Sequence, residues 1–450
     1  MGPTAAPSVR QLIDSAPVSR FQRRVVLLCL LLGVADGFDA LAIGYLLPAM
    51  SADWGVPAGE FGPALTVGLV GMLVGTTTLG PLADRIGRRT VLLIATVVYS
   101  LATATIVLVS SVEMLAVVRF VAGIGLGAVI PNLVAVAGEF MPTRARGRAI
   151  LVVLAGTTLG GFLCGQVAAV MVPAFGWRSV YLVGVAFPLV LVAVALRALP
   201  ESLMYLAVRG RVEQVRRSLG RIDPALSTAE IDLSDAVPER KAPRIPVGRL
   251  FGEGRAVDTV LLWLSWFATF VIVYFLYSWL PTLLTQVGVP QHVAILAMSL
   301  CLLANTVGGL TQGWLVDRRG DFASLTIGLP VAAVLILIVP AVFAKSWLLV
   351  VLICAIGFLA IGVNQALSTV TAALYPAEVR ATGVGWAFGA GRVGSLVAPL
   401  VGGLLLTQGV ASEVIFRLVA VPTVLGAITV AILVTRVHRA RRRATQPVTA

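Results

Sequence analysis

The chain has 450 residues, 58% of them hydrophobic and only 12% charged, with a mean hydropathy of +0.97. A soluble domain carries about twice that charged fraction, so a water-soluble globular protein is excluded. The long unbroken apolar runs exclude an outer-membrane barrel, whose strands alternate apolar and polar residues. The net charge of +13 comes from 34 Lys+Arg against 21 Asp+Glu. Apart from Lys241 and Lys345 the cations are arginines gathered in particular loops, a pattern that orients a membrane protein and does not call for nucleic acid.

Twelve spanning segments are predicted, at 23–48, 60–83, 91–110, 114–139, 148–171, 178–198, 258–284, 290–315, 324–344, 347–374, 381–408 and 413–436. The first follows Arg20, Arg23 and Arg24 and is too long for a signal-peptide core. It is long enough to cross a bilayer, which takes roughly 20 apolar residues, yet it holds Asp36 and Asp39, on one helical face at i and i+3. A charge at that depth costs about 2.5–3.5 kcal/mol on insertion scales, so the pair reads as functional: a proton relay or a substrate contact. Two carboxylates this close, away from water, resist carrying two negative charges at once and would titrate as a unit.

After the second segment comes Gly80-Pro-Leu-Ala-Asp84-Arg85-Ile-Gly87-Arg88-Arg89. Asp84 with the arginines forms a candidate charge latch, and Gly80 and Gly87 allow close approach and a tight turn. The fourth segment is flanked by Arg119 and Glu139. Arg119 suits attraction of an anion or pairing with an acid, and Glu139 suits a charge network with Arg146. Between them, Gly123-Ile-Gly125-Leu-Gly127 reads as a close-packing helix face, since no strand precedes it to make a dinucleotide loop. The 199–257 stretch is polar, with an amphipathic helix expected over Arg209 to Arg221 and a linker at Pro238–Pro246.

The seventh segment carries an aromatic stripe, Trp263, Phe267, Phe270, Tyr274 and Tyr277. Phe270 and Tyr274 are candidates to line a cavity; aromatics facing lipid are the alternative. Asn132, Gln166, Asn305, Asn364 and Gln365 are polar residues deep in apolar helices, suited to interhelical bonds or to ligand contact. Arg380 sits at a helix end, as a latch. Arg392 lies near mid-membrane in the eleventh segment. Its planar fork matches a carboxylate; pairing with a buried acid is the alternative. Cys29, Cys164, Cys301 and Cys354 lie in apolar runs without CxxC spacing, and the two histidines, His292 and His438, sit in a loop and the tail. No metal site, cofactor or catalytic constellation is expected, which argues against an enzyme.

The two halves repeat. Gly80–Gly87 aligns with Gly313-Trp-Leu-Val-Asp317-Arg318-Arg-Gly320, and Pro142-Thr-Arg-Ala-Arg146 with Pro376-Ala-Glu-Val-Arg380. The expected fold is therefore all-α and polytopic: an N-terminal six-helix half at 1–198, a central loop at 199–257, a pseudo-symmetric C-terminal six-helix half at 258–436 and a basic tail at 437–450. Parallel six-helix repeats are a transporter design. The alternation of arginine-rich loops places both termini and the central loop in the cytoplasm.

These residues together resemble the major facilitator superfamily, whose signature loop is similar to residues 80–89. A narrower resemblance lies in Asp36-Gly-Phe-Asp39 with Gly44-Tyr-Leu-Leu-Pro48, and in Tyr375-Pro-Ala-Glu-Val-Arg380-Ala-Thr-Gly-Val-Gly-Trp386 with Gly391-Arg392-Val-Gly394. This resembles the aromatic acid:proton symporters. The resemblance implies import of a hydroxybenzoate-type acid across the cytoplasmic (inner) membrane by a monomer working through alternating access, feeding aromatic catabolism, with the proton gradient in place of a cofactor. Of the acids the resemblance implies, 4-hydroxybenzoate or protocatechuate is the leading expectation, with benzoate, gentisate and hydroxyphenylpropionate left open. A membrane potential opposes entry of a lone anion by about 2.3 kcal/mol per 100 mV, so a protonatable carboxylate and a deep cation are both needed. Asp36 and Asp39 supply the first without distinction between them, Arg392 and Arg119 the second. A carrier of another organic anion or a sugar, and a transporter-like chemoreceptor, are the alternative readings.

Overall fold

The computed structural model describes residues 6–228, 231–232, 247–252, 254–319 and 323–445. The side chains of Asp317 and Gln365, and the whole of the linker at Pro238–Pro246, lie outside the described residues. The described residues are helical, with one isolated bridge between Ser8 and Asp232. Ten helical segments are long and apolar enough to span a membrane, and two shorter apolar ones, Thr326–Val342 and Ser346–Ala360, bring the number to twelve. This is the twelve-helix fold the sequence predicts. The tenth span is broken. A helix at Ser346–Ile356 gives way to a π-helical turn at Gly357–Ile361, then resumes at Val363–Leu374. Gln312 donates to the carbonyl of Phe358 at 2.9 Å, which satisfies a backbone group at the irregular turn, as the membrane interior demands.

The chain forms two compact units. The first comprises 1–42, 67–164 and 175–243. It holds helices α1 (Val9–Ser15), the first part of α2 (Arg20–Trp54), most of α3 (Gly62–Ile86), α4 (Arg88–Ile106), α5 (Val112–Phe140), most of α6 (Thr143–Phe175), α7 (Trp177–Ala198), α8 (Leu203–Val208) and α9 (Val212–Ile222). Small residues set its helix spacing. A side chain at Gly37 would overlap the backbone of Thr157 on α6, and the Gly123–Gly127 face divides, Gly123 and Gly127 meeting α3 and Gly125 meeting Ala95 and Tyr99 of α4.

Helix α1 is an element the sequence reading did not find. It is short, but Ser8 and Gln11 form a reciprocal capping box, which satisfies two backbone donors at once. Leu12, Ile13 and Ala16 are buried in the same core as Phe140, Leu203 and Leu219. Arg10 donates to the carbonyl of Met141 at 3.1 Å. Arg144 donates to the carbonyls of Asp14 and Ala16, each at 2.6 Å. Asp14 accepts from the Thr143 backbone N–H at 2.6 Å and from its hydroxyl at 2.7 Å, at the N-terminus of α6, where a negative charge is favourable. That N–H above all holds the Asp14 carboxyl below its ordinary value. The folded value is depressed, so the contribution of this strap is present above an unfolded aspartate's value of about 3.9 and is lost as pH falls through the lower folded value. Protection of the α1 amides, taken as the exchange rate relative to an unstructured peptide at the same pH, is expected to be high at pH 7 and to fall as the pH drops toward 3. Asp14→Asn is expected to show low protection at both, and equal protection in the two proteins at pH 7 would refute the strap.

The second unit comprises 43–66, 165–174 and 244–450. Its centre is α10 (Ala256–Gln286), flanked by α11 (Gln291–Arg319), α12 (Ala323–Ile338), α13 (Ser346–Ile356), α14 (Val363–Leu374), α15 (Ala377–Thr407) and α16 (Ser412–Thr445). Trp266 on α10 donates to Thr371 on α14 at 2.9 Å, and Trp279 donates to the Pro399 carbonyl on α15 at 3.2 Å. Gly394 of α15 sits against the backbone of Phe267, and Gly44 against that of Tyr277.

Candidate functional site

Each unit carries a cluster of polar or aromatic side chains among its apolar helices. In the first unit it is built on α2. The helical step that sets Asp36 and Asp39 on one face buries both, at 2% and 0% exposure. Their surroundings differ. Asp39 accepts from the Thr103 hydroxyl on α4 at 2.5 Å, and its other oxygen lies 3.6 Å from Nη1 of Arg119 on α5. Asp36 has a buried oxygen, Oδ1, with no hydrogen-bond partner among the described residues. Thr157 Oγ1 on α6 and the Tyr181 hydroxyl on α7 are likewise buried without a partner among those residues. Gly37, between the aspartates, lets α6 close in at this level. Arg119 thus pairs with an acid, one of the two roles the sequence left open for it. With both aspartates ionised, the three groups carry one net negative charge; a single added proton neutralises them. Asn132 is buried but donates to Ala128 of its own helix at 2.8 Å, so its amide group serves its own turn.

In the second unit the cluster is aromatic. Trp263, Phe267, Phe270, Tyr274 and Tyr277 are all half-buried, whereas Trp266, Ala268, Thr269, Ile272 and Val273 between them are buried. Arg392 Nη1 on α15 donates to the Tyr274 hydroxyl at 3.2 Å. Phe270 stacks on Tyr274, ring centres 5.8 Å apart, and Gly391 leaves room for the Phe270 ring. Tyr277 accepts from Asn305 on α11 at 3.1 Å. The stripe is not one surface. Trp263 stacks with Trp386 at 5.7 Å and meets Phe251 edge-on, a packing group of its own. Arg392 has no carboxylate partner among the described residues. Asn364 has a buried Oδ1 without a partner among them, and Gln166 bonds to Ser299 at 2.8 Å.

The loop motif after α3 is tied within the first unit. Arg88 lies 3.6 Å from Asp84 and forms a closer ion pair with Glu139 of α5. Glu139 also accepts from the Ser202 hydroxyl at 2.6 Å. The expected partner of Glu139 was Arg146; the structure gives it Arg88, the first residue of α4. Arg146 has no hydrogen bond or ion pair among the described residues. Gly87 has φ +105°, and a side chain there would strike the Glu201 carboxylate. Gly80 differs: a side chain there would meet nothing within 4 Å among the described residues, so the expected close approach is absent there. Glu201, which accepts from the Arg89 backbone at 3.0 Å, joins this loop motif without having been singled out in the sequence. Arg85 contributes its carbonyl, which accepts from Arg209 at 2.6 Å. Arg318 packs over the Trp314 ring, and Arg380 donates to the Tyr375 carbonyl at 3.2 Å.

Twelve apolar spans, buried ion pairs and a positively charged loop motif define a polytopic membrane carrier. Residues 28–363 match the family model described as Major Facilitator Superfamily. The chain belongs to that superfamily of transporters and is not an enzyme. It is 35% identical to the gallate transporter of Pseudomonas putida, covering 100% of this chain and 99% of that one. It is also 35% identical to the 4-hydroxybenzoate transporter PcaK of Pseudomonas putida, covering 93% and 94%. Among solved structures it resembles a bacterial homolog of the human lysosomal transporter Spinster in an inward-facing and occupied conformation, with TM-score 0.69, 15% identity and coverage of 95% and 98%; that likeness concerns the fold.

Proposed function

We propose that this protein imports an aromatic carboxylic acid of the hydroxybenzoate or gallate type together with protons, by alternating access, across the cytoplasmic membrane, as a monomer with both termini inside. The observation that carries the substrate class is Arg392 bonded to Tyr274 beside the stacked Phe270. It sets a cation with a neutral partner next to aromatic faces, which is what a planar aromatic carboxylate requires. The relatives named for gallate and 4-hydroxybenzoate support the same class. Proton coupling is supported by the first cluster. Asp39 is engaged by Arg119 and Thr103, so Asp36 is the group assigned to carry the proton. The arginine-rich loops support the orientation.

The test is uptake of labelled 4-hydroxybenzoate by cells expressing the chain, corrected for empty vector, with gallate and benzoate as competitors. Accumulation that collapses on adding a protonophore is expected. Uptake that ignores the protonophore would refute coupling. Absence of uptake or competition by any of the three acids, with protein shown in the membrane, would refute the substrate class.

A further inference from the structure

At the end of the first unit that carries the N-terminus, a cavity of about 370 Å³ lies between α1, α5, α6 and α8. It shares no lining residue with the Asp36–Asp39–Arg119 cluster. Its size falls in the range of about 300–1,000 Å³ typical of small-molecule sites. One face of α5 supplies Pro131, Val134 and Ala135; Ile150 of α6 and Ala207 of α8 continue the apolar wall. Three guanidinium groups border it, those of Arg10, Arg88 and Arg146, together with Glu139 and Asp232.

The lining holds three cations against two carboxylates. Arg88 is neutralised by Glu139. Arg10 is 3.8 Å from Asp14 and bonded to backbone carbonyls. Asp232 is partnered. Arg146 is left with no partner among the described residues, and Gly138 is what lets it lie across α5: a side chain there would stand 3.2 Å from its Nε. One unspent guanidinium at the mouth of an otherwise apolar pocket suits a planar monocarboxylate with an apolar body. A phosphate would use the arginine but leave the apolar walls unfilled.

We propose that this cavity is a second carboxylate site, taking the aromatic acid on the N-terminal side of the protein, which the proposed orientation makes cytoplasmic. The assignment of the acid rests on the proposed function. A ligand there touches the N-terminal helix, two spanning helices and the linker helix at once. It stabilises the arrangement in which these elements are packed as seen here, since a ligand shifts a population toward the state it binds best. Acid accumulating inside then slows the carrier.

Met204 lines the cavity and is 45% exposed, so the full-length Met204→Cys variant is purified and labelled with a maleimide, the parent protein serving as blank for the four native cysteines. Saturating 4-hydroxybenzoate is expected to slow labelling at least fivefold. Inorganic phosphate and neutral 4-hydroxybenzamide are expected to leave it unchanged. Protection is expected to survive Arg392→Gln, to vanish with Arg146→Gln and to return in part with Arg146→Lys. No protection, protection insensitive to Arg146→Gln, protection abolished by Arg392→Gln, or equal protection by phosphate would each overturn the proposal. The Met204→Cys variant is also assayed for uptake. Uptake without protection defeats the second site alone; protection without uptake defeats the proposed function alone.

Discussion

Asp36→Asn is expected to abolish protonophore-sensitive accumulation of the aromatic acid, by at least tenfold in initial rate, while leaving the protein as stable as its parent. The reasoning starts from what each aspartate touches. Asp36 Oδ1 is buried with no hydrogen-bond partner among the described residues, so an amide there removes a costly buried charge and breaks no bond made by that oxygen. It also fixes the cluster in its neutral form, equivalent to permanent protonation, so exchange of internal for external acid is expected to persist while net proton-driven uptake fails. Asp39→Asn is expected to behave in the opposite way. It strips Arg119 of its counter-charge, and breaking a buried pair by removing one partner costs on the order of 3–5 kcal/mol. The variant should therefore unfold at lower temperature and reach the membrane in smaller amount. Replacing both members, Asp39→Leu with Arg119→Leu, should recover much of that stability, because the desolvation penalty of both ions disappears. Accumulation that survives Asp36→Asn, or an Asp39→Asn variant as stable as its parent, would reverse the division of roles.

The parts of this fold legible in the sequence are those governed by local arithmetic. Span length and apolarity locate the helices, and the helical step places Asp36 above Asp39. The amphipathic pattern of 209–221 corresponds to α9, whose Val215, Leu219 and Ile222 are buried. What was not legible depends on which distant residue lies opposite. Thr103 is 64 positions from Asp39 and is buried against it, yet nothing in its segment separates it from other small polar residues in apolar helices. The sequence suggests a charge network of Glu139 with Arg146; its partner is Arg88, 51 positions away. Helix α1 was hidden because seven residues carry too little periodicity to read, although Ser8 and Gln11 three residues apart were a usable capping signal. Gly80 and Gly87 look equivalent in the repeat, and only the positive φ of Gly87 and its contact with Glu201 separate them.

Arg392→Gln is expected to weaken apparent affinity for the aromatic acid by about tenfold to about 150-fold, with no loss of stability. The range follows from the roughly 1.5–3 kcal/mol that a hydrogen bond to a charged group contributes, at about 1.4 kcal/mol per tenfold. Stability is spared because Arg392 differs from Arg119. Its bond is to the neutral Tyr274 hydroxyl, and its removal leaves no buried carboxylate stranded among the described residues. Arg392→Lys should remain impaired, since an ammonium keeps the charge but not the planar two-point fork. Tyr274→Phe separates orientation from charge. It keeps the ring that stacks on Phe270 but releases the guanidinium, so a smaller loss is expected, with the affinity constant rising and the maximal rate held. Phe270→Ala should instead reduce discrimination between aromatic acids and aliphatic acids of equal charge, because the aromatic face is what distinguishes them. Concentration-dependent uptake of 4-hydroxybenzoate, with an aliphatic monocarboxylate as competitor, measures all four. A fully active Arg392→Gln variant would show that the substrate anion meets its cation elsewhere. Arg119 would then be the remaining deep arginine to test, and Asp39 would be competing with the substrate for it.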